Sequence, residues 1–381
     1  MVYYVTKASP RYHQMTLEEL WSAEDVPCGL ITDNHTNTVT HRADEVPEEL
    51  RRTVSTKAMI NALAVFDDEY GHLYEVDRHS LYHSFRILKK SGGYRQIDAP
   101  LPELMTALRV LKDILEKHFR ANHLYHTSAF AYIRQRNCVD AVKRHQQNES
   151  WWFAKLDFKN FFGSTTKAFV LRMLWQIFPF SQVVCDPKGA ELLEKAIDLA
   201  FLDGVLPQGT PISPMLTNIM MIPIDYELSN GFRSLNKQTF VYTRYADDML
   251  ISSRYDFNVK DVEKFVADMV NQFDAPFRLN TEKTRYGSRS GSNWNLGVVL
   301  NKDNKISIGY KNLRTFKNTL HNFLRDHNAG IAWDIGDIQH ALGLYSYYVM
   351  VDPETMASTV EAYTQKTGVD IIKLMKKCLN A

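Results

Sequence analysis

The sequence predicts an α+β fold. Apolar residues recur at helical spacing in several segments, among them Leu104, Leu108, Leu111, Ile114 and Leu115. Other runs alternate with period two. In "SWWFAKLDFKNFF", Phe153, Lys155 and Asp157 fall on one face and Trp152, Ala154 and Leu156 on the other. Strands and helices mix without the regular alternation of a doubly wound parallel sheet. The 381 residues are enough for two or three domains, or for one domain with lobes, and the hydrophobic content of 45% is that of a globular protein.

The elements follow in order. Residues 1–80 read as an acid-rich extension of loops and short pieces, with a helix available in "VPEELRRTVSTKAMINALAVF". "FRILKKSGGYRQIDAP" is a hairpin, because Gly92 and Gly93 supply the turn and Pro100 closes the second strand. "LPELMTALRVLKDILEKHF" is an amphipathic helix. The Phe153–Asp157 strand precedes a helix in "TKAFVLRMLWQIF". "LPQGTPISP" is turn punctuation, followed by an apolar helix from Ser213. "FVYTRYADDMLISS" is two short strands with a break. "KDVEKFVADMVNQF" is a helix and "GVVLNKDNKISIG" a hairpin. "YKNLRTFKNTLHNFLRD" carries the stripe Leu313, Phe316, Leu320, Phe323 and Leu324, flanked by Lys311, Arg314 and Lys317.

Net charge is only +1, but Arg289, Lys302, Lys305, Lys311, Arg314 and Lys317 cluster against the single acid Asp303, so a basic face can hide in a neutral total. Cys28, Cys138, Cys185 and Cys378 lack metal-ligand spacing and read as free thiols. No apolar run reaches the length of a membrane span or the core of a signal peptide, so the expectation is a soluble cytoplasmic protein with no membrane partner.

Adjacent carboxylates, Asp247 and Asp248, interrupt an apolar hairpin, where an unpaired charge is costly. Asp157 ends a strand that can lie beside them. Three clustered carboxylates repel one another and need a cation, and hard oxygen ligands select Mg²⁺. A pair of such ions would activate an attacking hydroxyl and stabilise a leaving oxygen.

"FAKLDFKNFF", "LPQGTPISPMLTN" and "YADD", in that order, resemble the palm motifs of reverse transcriptases. "ILKKSGGYRQIDAP" resembles the fingers motif of the prokaryotic branch, which includes group II intron, retron and defence-associated enzymes. "SAFAYIRQRNCVDAVKRH", "RLNTEKTRYG", "NLGVVLN" and "LGLYSYYVMVDPE" resemble the segments that follow in that branch, and the likeness covers roughly residues 81–360. It implies a right-hand polymerase fold, with the extension at 1–80, fingers at 81–150, palm at 151–305 and a helical thumb and tail at 306–381.

The resemblance implies residue roles as well. Asp157, Asp247 and Asp248 would be catalytic and hold two Mg²⁺ ions, or Mn²⁺ in their place, with the Phe158 carbonyl as a further ligand. Lys89, Lys90 and Arg95 would hold the incoming dNTP. Phe162 would gate against a ribose 2′-hydroxyl, and Gln208, Gly209 and Pro211 would line the nucleotide pocket. Lys283 would meet the pyrophosphate. Tyr245 and Ala246 would lie at the primer end, and Lys311, Arg314 and Lys317 would track the template–product duplex.

The implied partners are an RNA template, expected to be a structured non-coding RNA, together with a DNA product and dNTPs. A homo-oligomer or a partner protein is compatible with this. The loop ends "SP" rather than the "SQ" of diversity-generating elements, and "NLGVVLN" lacks the "VTG" usual in retrons. The first departure argues against the diversity-generating branch and the second against a typical retron, and what remains resembles a compact defence-associated enzyme. The remaining readings are a retron-type enzyme, primer-independent or protein-primed DNA synthesis, and an inactive RNA-binding scaffold.

Overall fold

The computed structural model describes residues 56–89, 92–120, 125–235, 240–290 and 297–379, preceded by two short paired strands, β1 (Val2–Tyr4) and β2 (His13–Met15). Most of the acidic extension and Lys90 lie outside the described residues, so the expectations for them do too.

The helix Thr56–Tyr70 buries Met59, Leu63 and Phe66 and packs against the helices Pro102–Arg120 and Pro187–Asp198. The expected hairpin is present as β3 (Tyr82–Leu88) and β4 (Tyr94–Pro100), paired from Tyr82 with Pro100 to Leu88 with Tyr94. Gly92 and Gly93 both take positive φ in its turn, which only glycine adopts without strain.

The strand β5 (Trp152–Lys159) is the core strand of a five-stranded sheet with β6 (Val241–Tyr245), β7 (Asp248–Ser253), β8 (Arg278–Leu279) and β9 (Arg285–Ser288). The order is β6-β7-β5-β8, and β9 pairs with β5. β9 takes the first half of β5 (Trp152 with Ser288, Lys155 with Arg285) and β8 takes its end (Phe158 with Leu279). Period two does not sort β5 into a dry and a wet face. Phe153, Ala154, Leu156, Asp157 and Phe158 are all buried, so both faces are covered.

The chain divides into two compact units. The first holds residues 1–136, 156–249 and 258–284, and the second 137–155, 250–257 and 285–381. The division runs through β5 and β7, each of which contributes to both units. In the second unit, the helix Tyr310–Asn328 buries Phe316, Leu320, Phe323 and Leu324, the stripe read from spacing. Its core also takes Ile338, Ala341 and Tyr348 from the helix Ile335–Val351, Met356 from Pro353–Thr367, and Ile371 and Met375 from Ile371–Cys378. Asp334, Asp352 and Asp370 cap these last three helices by accepting from backbone N–H groups, which satisfies donors that a helix start leaves free. The hairpin predicted in "GVVLNKDNKISIG" is β10 (Val299–Leu300) with β11 (Ile306–Ser307).

Candidate active site

The hairpin β6–β7 turns on two residues, Ala246 and Asp247. Ala246 has φ of +59°, the left-handed region that a tight hairpin turn demands at its first position and that glycine usually fills. An alanine there costs about 1–2 kcal/mol. The turn thus lifts Asp247 out of the strand ladder. The Phe158 N–H donates to the Asp247 carbonyl at 3.3 Å, which ties the turn to β5 one residue beyond Asp157.

Asp157 is buried, with 7% of its surface exposed. The Asn280 N–H donates to its backbone carbonyl at 2.8 Å. The short turn Thr281–Lys283 follows, and Lys283 Nζ donates to Asp157 Oδ2 at 2.6 Å. The lysine side chain is otherwise 62% exposed. Its ammonium is held above its ordinary range, first by that hydrogen bond and then, against some desolvation, by the charges of Asp157, Asp247 and Asp248. The Asp247 carboxyl is pushed up to about 6, by burial first and then by Asp157 and Asp248. The charges of Asp157 and Asp247 therefore act on each other, with the Lys283 ammonium against Asp157.

Among the described residues, no group of three His, Cys, Asp or Glu side chains is arranged to hold a metal ion. Asp248, the first residue of β7, is half-buried and raises the Asp247 carboxyl through its charge. The Phe158 side chain is unavailable to any ligand. It is buried against Phe161 and Phe277, with ring centroids at 5.5 and 4.7 Å, so only its backbone could contribute.

The adjacent phenylalanines divide their tasks. Asn160, left-handed at φ +50°, turns the chain out of β5 into the short helix Phe161–Ser164. Phe161 goes to the core, and Phe162 stays half-buried, edge-on to it at 5.9 Å. Gln208 is half-buried, and its carbonyl accepts from the Asp98 N–H of β4 at 2.7 Å. Gly209 has φ of +126°, and a Cβ there would meet the Asp98 carbonyl at 2.8 Å. The close approach that requires glycine is thus to β4 itself. The Thr210 hydroxyl accepts from the Ser213 N–H at 3.2 Å at the start of the helix Ser213–Met220, and Pro211 between them is half-buried. Lys89 and Arg95 are exposed on the β3–β4 hairpin, and Tyr245 is half-buried at the end of β6. In the second unit Lys311, Arg314 and Lys317 are all exposed.

Sequence reasoning missed two features. One is Tyr132, bulky and left-handed at φ +60°, with 54% of its surface exposed; its hydroxyl is pushed up by partial desolvation first and then by Asp247 and Tyr245. No sequence signal marks a positive φ at a tyrosine. The other is Arg244, fully buried and paired with Asp225. An arginine inside an apolar strand and an aspartate inside an apolar helix were the available signal.

Residues 87–323 match the family described as reverse transcriptase (RNA-dependent DNA polymerase). The chain belongs to that family. It has the family's right-hand polymerase fold and is an RNA-directed DNA polymerase. It is similar to the retron Ec83 reverse transcriptase of Escherichia coli, 29% identical over 309 residues covering 78% of this chain and 90% of that protein. The retron Ec73 reverse transcriptase of the same species is 25% identical over 296 residues, covering 74% and 86%. The retron Mx162 reverse transcriptase of Myxococcus xanthus is 26% identical over 298 residues, covering 73% and 59%. A solved telomerase from Candida albicans, in complex with a TWJ fragment of telomeric RNA, aligns with a TM-score of 0.45 at 11% identity, covering 77% of this chain and 66% of that one. The missing "VTG" points away from a typical retron, whereas these relatives are retron enzymes. Among the described residues, no helix is long and apolar enough to cross a membrane.

Proposed function

We propose that this reverse transcriptase is a retron-type enzyme that copies a dedicated, structured non-coding RNA into DNA with two Mg²⁺ ions, in bacterial antiviral defence. One observation carries the catalytic half: Asp157 and Asp247, ninety residues apart in the sequence, meet beside Lys283. Two carboxylates and a backbone carbonyl are hard oxygen donors, and Mg²⁺ takes one or two carboxylates together with substrate phosphates. The donor set fits, and Mn²⁺ would suit the same oxygens. When bound, the ions would lower the pKa of the primer 3′-hydroxyl and neutralise charge on the leaving pyrophosphate.

The chain's own residues do the rest. Asp157 and Asp247 supply the acidic pair, and Asp248 adds negative charge. Lys283 offers its protonated amine to phosphate oxygens once the Asp157 charge is otherwise met. Arg95 and Lys89 reach the triphosphate from β3–β4, where a planar guanidinium suits bidentate contact. Phe162 stands where a ribose 2′-hydroxyl would collide with it. Gln208 and Gly209 line the pocket while anchored to β4, and Tyr245 and Ala246 flank the primer end. Lys311, Arg314 and Lys317 contact backbone phosphates without reading sequence.

The biological half rests on the relatives being retron enzymes. Sequencing the nucleic acid that copurifies with the protein tests it. The expected result is one structured RNA, partly copied, with a DNA product whose 5′ end identifies the primer. Bulk cellular RNA without matched DNA would reject a dedicated template, and product DNA released only by protease would point to protein priming. For defence, phage plating is compared on cells carrying wild type and Asp247→Ala. Equal plating across a broad panel would reject that role.

A further inference from the structure

Arg244 is the largest fully buried side chain of the described residues, and Asp225 beneath it is equally closed to solvent. Their contact is bidentate: Arg244 Nε donates to Asp225 Oδ1 at 2.8 Å and Nη2 to Oδ2 at 2.7 Å. The Tyr242 hydroxyl donates to the same Oδ1 at 2.8 Å. The remaining nitrogen, Nη1, donates to Asn218 Oδ1 and to the Ala246 carbonyl, each at 3.1 Å. Asn218 passes the restraint on, donating from Nδ2 to the Ala131 carbonyl at 2.6 Å. The Arg244 backbone is fixed too, its N–H on the Ser128 carbonyl at 2.6 Å and its carbonyl under the Phe130 N–H at 2.9 Å.

Stability alone does not account for this network. Replacing a buried ion pair by apolar residues of similar volume is generally neutral or stabilising. What an apolar pair cannot do is hold the Ala246 carbonyl. That carbonyl belongs to the peptide leading directly into Asp247, at a left-handed alanine that a two-residue turn does not favour unaided. The next carbonyl, of Asp247, is held from the other side by the Phe158 N–H. The turn is therefore clamped at consecutive peptides, by Arg244 on one side and by the residue after Asp157 on the other.

We propose that Arg244 is a positioning residue of the polymerase centre, which fixes the Ala246–Asp247 peptide so that the Asp247 carboxylate stands at working distance from Asp157. The proposal rests on the reading that Asp247 is catalytic. Arg244→Lys keeps the charge, but a single amine cannot make the bidentate contact and also reach Ala246. The triple variant R244M/D225L/Y242F removes the polar cluster and keeps an apolar core. The substrate is poly(rA) primed with oligo(dT), with dTTP and Mg²⁺.

Both variants are expected to melt cooperatively and bind the primed template as wild type does. Their kcat should fall about 100-fold, the effect of a roughly 1 Å misplacement, with the dTTP KM nearly unchanged and half-saturating Mg²⁺ raised. Adding Ala246→Gly, which relieves the left-handed strain, should restore part of the kcat of Arg244→Lys. A purely structural arginine would give no such rescue. Wild-type kcat and Mg²⁺ dependence in whichever variant folds would overturn the proposal. An active Asp247→Ala would instead overturn the reading beneath it.

Discussion

Arg244 in the first unit and the cations of the helix Tyr310–Asn328 in the second carry the same charge in opposite surroundings. The Arg244 guanidinium lies wholly inside the protein, bonded to Asp225, Asn218 and the Ala246 carbonyl. Lys311, Arg314 and Lys317 stand in solvent along a helix whose other face buries Phe316, Leu320 and Phe323. A desolvated cation acts through direction: its hydrogen bonds fix atoms, and no other residue reproduces them. A solvated cation acts through charge at a distance, and any cation on a flexible stem will do. The first unit is therefore expected to fail by loss of geometry and the second by loss of net charge.

The largest effect belongs to the acidic pair that the buried network serves. Asp157→Ala or Asp247→Ala removes several kcal/mol of charge stabilisation, so primer extension should fall about a thousandfold or more. Template binding, measured by anisotropy, should hold. A variant that extends primers at even a tenth of the wild-type rate would break the assignment of these residues. Breaking the buried pair itself comes next. Asp225→Ala strands a buried guanidinium and should cost about 3–5 kcal/mol in denaturant unfolding. Arg314→Ala, on a solvated face, should leave the midpoint unchanged. Equal midpoints for the two variants would erase the contrast.

What the sequence made legible follows the same divide. The stripe Leu313, Phe316, Leu320 and Phe323 was readable because a helix repeats its buried face locally, and the hairpin at Gly92–Gly93 was readable because turn chemistry is local. Asp157 and Asp247 stood out because a carboxylate in an apolar strand is conspicuous. Arg244 and Asp225 were each conspicuous for the same reason, but their pairing was not legible, since it joins a helix to a strand by a contact that neither segment's pattern encodes. Gly209 was expected to line the nucleotide pocket, and its backbone approach to β4 was not legible. The nearest obstruction to a side chain there is the Asp98 carbonyl, a meeting of two segments far apart in the chain.

A charge-swap series sharpens the second half of the comparison. Converting Lys311, Arg314 and Lys317 together to alanine should make the dependence of log Kd on log salt shallower by about 2–3, for binding to a primed template. Exchanging lysine for arginine at the same positions should change neither affinity nor slope. An unchanged slope in the alanine variant would remove this helix from the duplex contact. A loss with the lysine–arginine exchange would mean that direction matters there as it does at Arg244.

The smallest effect tests the cost of holding Asp247 where it is. In the folded protein its carboxyl is pushed up to about 6 from an ordinary 3.8, chiefly by burial and then by Asp157 and Asp248. Between those values the folded chain keeps a proton that the unfolded chain has lost. Stability of the metal-free protein therefore falls as pH rises through that window and levels off above it. Asp247→Asn carries no such penalty. Without metal, it should melt a few degrees above wild type at pH 7.5, and the gap should narrow as pH is lowered toward 5. Mg²⁺ should raise the wild-type melting temperature more than that of the variant, because the ion offsets a repulsion that asparagine has already removed. If the variant melts no higher than wild type at pH 7.5, the acidic pair is not under electrostatic strain, and a clamp on the Ala246–Asp247 turn has less to resist.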